Sequence, residues 1–331
     1  CASLPPLYDP RFPGYGMTRK IALLAIGGNA LLKEKERGLQ EEQLENARET
    51  AEMLAKVVAE GYSLCVVHGN GPQVGNLLIQ QEAASGQVPP YSLDVCGAMT
   101  QGSMGYMLER MLINRLRFLG VDAPVASVLT EVVVDKEDKG FQDPTKPVGP
   151  FYPEFRALEL MRAKRWKMKE DSGRGWRKVV PSPNPLEIVQ LDAIKTLLQA
   201  GNSVIAGGGG GIPVIRDASG FLVGVEAVID KDRLSALLAT QLGANLFIIL
   251  TGVAKVALDF GKPTQRWMDR LTASEARRHL AEGQFPPGSM GPKIESALGF
   301  LDGGGDEVLI TTAEALATED PATVGTRIVK D

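Results

Sequence analysis

The sequence predicts an α/β fold built around a parallel sheet, and three observations carry that expectation. Two short apolar runs, IALLAI at 21–26 and SLCVV at 63–67, have the composition of strands buried on both faces. Each runs straight into a glycine turn, Gly27-Gly28-Asn29 in the first case and Gly69-Asn70-Gly71 in the second. Between them, residues 41–60 place Leu44, Ala47, Ala51, Leu54 and Val58 on one face of a helix that Gly61 stops. Strand, turn, helix and strand in this order give parallel pairing with right-handed crossovers.

The later elements continue the pattern. Residues 97–119 read as a long helix with Leu108, Leu112, Leu116 and Leu119 along one side, and its small, polar start reads either as tight packing or as a pocket wall. Residues 124–134 read as one strand, and 186–200 as a helix with Ile188, Leu191, Ile194 and Leu198 inward. A short strand at 203–206 enters five consecutive glycines, 207–211. Residues 245–250 form a buried strand ending in Thr251-Gly252, residues 274–283 a helix, and Gly288-Ser289-Met290-Gly291-Pro292-Lys293 opens another helix. Residues 307–311 and 326–329 complete the strands.

The 331 residues are 44% hydrophobic and 23% charged, an ordinary globular composition, and no apolar run approaches the roughly 20 residues of a membrane span. A net charge of -4 argues against nucleic acid as partner. Three cysteines, Cys1, Cys65 and Cys96, lack metal or CxxC spacing and read as reduced thiols of a cytoplasmic protein. Residues 1–16, rich in Pro, Gly and Tyr, read as a poorly ordered extension, with the domain proper at 17–331. Residues 135–180 differ from the rest: four prolines interrupt them, and 12 Lys and Arg stand against 8 Asp and Glu. A basic insertion on an acidic body is expected to be a lid that faces a phosphate. It lies within the first of two halves, 17–200, expected on the acceptor side, while 201–331 is expected on the nucleotide side.

At least four strands thus end in glycine or small-residue turns, at 27–29, 69–75, 207–211 and 251–252. Ligands of open parallel sheets sit at the carboxyl ends of strands, where bare amides and helix dipoles favour anions. A phosphate-rich ligand follows. The P-loop pattern GxxxxGK followed by Ser or Thr is missing, as are GxGxxG, HExxH and GxSxG, and the chain has only His68 and His279. His68 reads as a structural residue of its turn. What remains for chemistry is lysines and amides, the inventory of phosphoryl transfer, which asks for positioning and charge neutralisation. Lys146 lies on a stiff Thr-Lys-Pro loop, and Lys231 and Lys293 lie at helix starts. Asp232 reads both as a helix cap and as the carboxylate that orients the ammonium groups.

These residues resemble carbamate kinases. The likeness rests on IGGNALL at 26–32, HGNGPQVGNLL at 68–78, LDVCGAMTQGSMGYML at 93–108 and DPTKPVGPF at 143–151. It continues in EDSGRGWRKVVPSP at 170–183, GGGGIPVI at 208–215, GVEAVIDKD at 224–232 and GQFPPGSMGPK at 283–293. The resemblance implies a three-layer αβα sandwich around about eight mostly parallel strands with a small protruding subdomain, and a homodimer. It implies the reaction ATP + carbamate ⇌ ADP + carbamoyl phosphate with Mg²⁺, and no metal ligand from the protein is assigned. Gly27, Gly28, Asn29, Gly69, Asn70 and Gly71 would hold carbamate and the phosphoryl group. Lys146 would reach down from the subdomain, Lys231 would neutralise the phosphoryl group, and Asp232 would fix the lysines. Lys293 would bind nucleotide phosphates, with Gly208, Gly209, Gly210, Thr251, Gly252, Gly288, Ser289 and Met290 bordering the nucleotide. Ala254 stands where many relatives carry Asp.

Carbamoyl phosphate is a stronger phosphoryl donor than ATP, so the reaction is expected to run toward ATP, in arginine, agmatine or purine breakdown. Two other readings compete: a nucleotide-binding module without turnover, and a sister kinase acting on an amino-acid carboxylate or a nucleoside monophosphate. The scarcity of cationic side chains at the acceptor turns argues for a very small acceptor.

Overall fold

The computed structural model describes residues 20–27, 31–33, 36–171, 173–286, 289–318 and 323–331. The expected N-terminal extension, Gly28, Asn29 and Gly288 lie outside the described residues.

The central sheet has eight strands in the order Arg270–Thr272, Thr326–Val329, Glu307–Thr311, Leu246–Leu250, Ile21–Ile26, Ser63–His68, Ser203–Ala206, Val125–Val128. Every described pairing is parallel except that between Glu307–Thr311 and Thr326–Val329. The strand Ile21–Ile26 is buried on both faces, as its unbroken apolar run requires. Its alternate residues feed two cores. Leu23 and Ala25 pack with Leu234, Leu238, Ile294 and Phe300 from the helices Lys231–Leu242 and Met290–Asp302. Ala22, Leu24 and Ile26 pack with Leu54, Val58, Leu108 and Leu112 from the helices Gln40–Ala59 and Leu93–Phe118 on the opposite face. The result is an αβα sandwich. Truncating a side chain such as Leu24, with no exposed surface, would cost about 2–5 kcal/mol.

Local signals set the helix ends. Glu42 Oε2 accepts the amides of Gly38 and Leu39 at 2.8 Å each, closing the start of Gln40–Ala59. Thr272 and Glu275 form a reciprocal capping box at Ala273–Ala281. Gly243, in the left-handed region at φ 64°, ends Lys231–Leu242.

Three smaller sheets accompany the main one, the least of them the antiparallel pair Val256–Leu258 and Arg266–Met268. The first orders Leu222–Gly224, Ile212–Arg216, Glu131–Val134 and Pro185–Ile188. The second, Lys146–Tyr152, Trp176–Val180 and Met168–Glu170, carries the helix Glu154–Lys164 over a core of Ala157, Leu160 and Met168.

Three expectations change. The long helix begins at Leu93, four residues before the expected start, with Glu226 Oε1 accepting the Leu93 amide at 2.9 Å. The 124–134 strand is two strands in two sheets, Val125–Val128 and Glu131–Val134. They part at Thr130, whose amide goes to Gln101 Oε1 at 2.8 Å and so is taken out of the main ladder. The 186–200 helix begins only at Leu191, because Pro185–Ile188 pairs antiparallel with Glu131–Val134. Ile188 is therefore buried as a strand residue.

Candidate active site

The four strands that end in glycine or small-residue turns are consecutive neighbours: Leu246–Leu250, Ile21–Ile26, Ser63–His68 and Ser203–Ala206. All are parallel, so Thr251-Gly252, Gly27, Gly69-Asn70-Gly71 and the glycines 207–211 gather along one edge.

In the middle of that edge the turn after Ser63–His68 enters the helix Gly71–Ala84 with Pro72 in its first turn and no side chain capping it. Its leading amides are thus left to a ligand. Asn70, at the cap position, turns away from its own helix, and its Nδ2 donates to Thr100 Oγ1 at 2.8 Å. Thr100 in turn donates to the Gly97 carbonyl at 2.6 Å. The next residue, Gln101, donates to the Gly208 carbonyl at 3.0 Å and to the Thr130 carbonyl at 3.3 Å. Thr130 Oγ1 accepts the Gly207 amide at 2.8 Å. Consecutive residues of one helix therefore hold both the 69–71 turn and the glycine run. Those two loops touch. A Cβ on Gly208 would lie 2.3 Å from His68 Nε2, and one on Gly209, at φ +70°, 2.2 Å from Asn70 Nδ2. Only glycine permits this approach. Gly208 and Gly209, expected to border the nucleotide, thus lie at the seam with the 68–71 turn, while Gly210 abuts the Ile229 carbonyl.

His68 is buried, and its Nδ1 lies 3.0 Å from the Gly69 carbonyl. Burial pushes it down to about 4, against that bond, and the charge of Lys231 adds to the fall. A neutral ring whose Nδ1–H donates to Gly69 fits a turn-holding residue. Cys65 and Cys96 are free thiols buried in the cores, and burial pushes Cys65 up to about 12. Neither has the low, exposed thiolate character of a nucleophile.

The charged groups come from the second half of the chain and from the 146–180 unit. Asp230 is the cap of Lys231–Leu242: its Oδ1 accepts the amides of Asp232 at 2.9 Å and Arg233 at 3.3 Å. Asp232 is therefore not the cap. It is the second residue of the helix, and both of its oxygens are free for lysines: Lys231 Nζ donates to Oδ1 at 2.6 Å and Lys293 Nζ to Oδ2 at 2.8 Å. Its burial opposes ionisation, but the two ammonium groups outweigh that and bring it down to about 2. Lys146 opens a strand where a loop was expected, and its Nζ donates to Asp230 Oδ2 at 2.9 Å. Three lysines far apart in sequence thus converge on two carboxylates two residues apart.

Lys293 lies one turn into Met290–Asp302, and the residues that open this helix wall a cavity of about 290 Å³. Thr251, Gly252, Ser289 and Met290 line it, and Ala257, Phe260 and Phe285 supply apolar surface. Ala254 is exposed, while its neighbours Val253 and Lys255 line the cavity. Sequence reasoning missed Asp230, Thr100, Gln101, Thr130 and the two phenylalanines. The preference of Asp for the cap position could have found Asp230. The others act across 29 or more positions of sequence or through cavity shape, and no local signal marks them.

The amino acid kinase family model matches residues 20–312. The chain is 45% identical over 315 residues to the carbamate kinase of Thermococcus kodakarensis, covering 94% of this chain and 100% of the relative. It is 45% identical over 311 residues to that of Staphylococcus haemolyticus, covering 93% and 99%. Among solved structures, a carbamate kinase from Giardia lamblia bound to AMP-PNP superposes with a TM-score of 0.88 at 41% identity, over 95% of this chain and 99% of the other.

Proposed function

The chain belongs to the amino acid kinase family, as a phosphotransferase of its carbamate kinase branch, and on that premise we propose that it makes ATP from ADP and carbamoyl phosphate. The observation that carries the site reading is the pair of ammonium groups held on Asp232 beside the gathered strand ends.

In this reading the amides of Gly69, Asn70 and Gly71, with Gly27, Gly28 and Asn29, hold the carbamoyl group by shape and hydrogen bonds. A β-phosphate oxygen of ADP attacks phosphorus, the bond from phosphorus to the carbamoyl oxygen breaks, and carbamate leaves as an anion. No proton has to move in that step. Charge spreads over the phosphoryl oxygens in flight, so Lys231, Lys293 and Lys146 stabilise the transition state. Thr251, Gly252, Gly288, Ser289 and Met290 border the nucleotide, and Gly208, Gly209 and Gly210 keep the acceptor turn and the nucleotide side in register. The Giardia relative was solved with AMP-PNP, which supports a nucleotide in this groove.

Mg²⁺ belongs to the reading as a passenger on the nucleotide. All four carboxylate oxygens of Asp230 and Asp232 are engaged by lysines or amides. Among the described residues no cluster of three His, Cys, Asp or Glu side chains could hold a metal. Phosphates and water would hold the ion, as suits its preference for oxygen and its reluctance to dehydrate. The 135–180 segment acts as the lid that brings Lys146. A homodimer completes the reading: Val95, Met99 and Tyr106 form an exposed stripe at helical spacing on Leu93–Phe118. No helix among the described residues is long and apolar enough to cross a membrane. A cytoplasmic role in arginine or related nitrogen catabolism suits the direction of the chemistry.

The deciding experiment offers ADP and Mg²⁺ with carbamoyl phosphate, and in parallel ATP with carbamate, glutamate, N-acetylglutamate, aspartate and UMP. ATP formation from carbamoyl phosphate and turnover of carbamate alone are expected. Turnover of an amino acid or UMP in preference to carbamate would move the chain to a sister activity, and nucleotide binding without turnover would make it a binding module.

A further inference from the structure

We propose that Asp230 is a positioning residue for the transfer, which holds the ammonium of Lys146 over the site and yields it to the phosphoryl group. The inference rests on the reading of Lys146 as a phosphoryl contact and adds a partner to it.

The geometry divides the carboxylate between two jobs. Oδ1 takes the amides of Asp232 and Arg233 and locks the group to the helix start. Oδ2 faces the other way and takes Lys146 Nζ from 84 residues away in sequence. The backbone supports the same alignment. Lys146 is paired in register with Val180 at the base of its sheet, and the next residue, Pro181, accepts the Val228 amide at 2.9 Å. The insertion is thus tied by its backbone two residues before the carboxylate that its lysine meets.

The three lysines are not equivalent. The side chains of Lys231 and Lys293 are 16% and 18% exposed and share a carboxylate whose two oxygens they fill. Lys146 is 36% exposed and bonds Asp230. A partly exposed ion pair is weak, so this lysine can leave its partner when a phosphate of higher charge arrives. The more buried pair on Asp232 has less freedom. Burial raises Asp230, but the charge and hydrogen bond of Lys146 bring it below the ordinary carboxylate range, so it is ionised throughout the working pH range. Two further ion pairs hold the insertion to the body, Lys164 to Glu82 at 2.7 Å and Lys178 to Glu226 at 3.6 Å, and they keep it seated while Lys146 exchanges partners.

The test separates capping from positioning. Asp230→Asn keeps an oxygen for the two amides, since Asn caps helices as well as Asp does, and removes only the charge that Lys146 meets. Its melting temperature should match the parent protein. Its kcat for ATP formation should fall about tenfold, with KM for ADP unchanged. Lys146→Ala should lower kcat, and adding Asp230→Asn to it should change nothing more, because the two act as one unit. Asp230→Ala should lower the melting temperature as well, by losing the cap. If Lys146→Ala is impaired while Asp230→Asn keeps parent kcat, or if the two losses multiply, Asp230 is only a cap and the proposal falls. If Lys146→Ala itself is silent, the reading of Lys146 fails first and takes the proposal with it.

Discussion

The two sides of the groove are built to hold anions in opposite ways. Around His68–Gly71 the groups are backbone amides, a neutral imidazole held on the Gly69 carbonyl and one carboxamide that donates to Thr100, with Gly208 and Gly209 in close contact. Around Asp230–Asp232 the groups are charges, with Lys231, Lys293 and Lys146 set on two carboxylates. The neutral side can recognise a small planar acid by shape while adding little charge. The charged side recognises almost nothing in particular, and in the proposed function it meets a phosphoryl group whose charge is spreading. Changes on the first side should therefore appear in binding, and changes on the second in rate.

The largest effect expected is from Lys231→Ala. It should cost about 3–5 kcal/mol of transition-state stabilisation, a rate loss of roughly a hundred- to several-thousand-fold, with ADP affinity by calorimetry nearly unchanged. A parent-like rate would break the assignment of charge to catalysis.

Gly208→Ala tests the seam. The new methyl would strike the His68 ring, which is buried and cannot swing away. Unfolding in urea should show a loss of about 3 kcal/mol, and a smaller loss would mean that the loops have room the structure denies them.

His68 gives the neutral side a pH dependence. Its folded value is lowered to about 4, so the unfolded chain takes up the proton first as pH falls. Stability from this group is intact above its unfolded value and declines as pH drops toward its folded one. Between pH 7 and pH 5 the loss should be about 2 kcal/mol by denaturant titration. His68→Gln should flatten that part of the profile. An unchanged profile would show that the ring is charged in place.

The smallest effect is at Asn70. Asn70→Ala should weaken carbamoyl phosphate by about 1 kcal/mol and leave ADP alone. The reverse order would put the acceptor turn on the nucleotide side.

Much of this was legible in the sequence because the signals are local. Unbroken apolar runs that stop in glycine gave the four adjacent strands, and helical periodicity gave Gln40–Ala59 and the body of Leu93–Phe118. Lys231 and Lys293 stood out beside helix starts, and Lys146 beside prolines. The strand at 124–134 was misread because hydrophobicity reports burial and is silent on a change of sheet at Thr130. Asp232 reads as the cap from sequence because the first helical residue is not marked there; the helix starts at Lys231, which makes Asp230 the cap. Thr100 and Gln101 were invisible as anchors because their partners lie 29 to 107 positions away.

Val134 and Pro185 are neighbours across an antiparallel pair, so the fifty residues between them hang from a closed base. Such a segment is modular. Replacing 135–184 by a short turn would leave the pair intact, the main sheet undisturbed and every fully buried member of both large cores in place, with Phe141 alone lost from the edge of one. The trimmed protein should fold as a scaffold that lacks Lys146, in which other caps over the same groove could be grafted and compared.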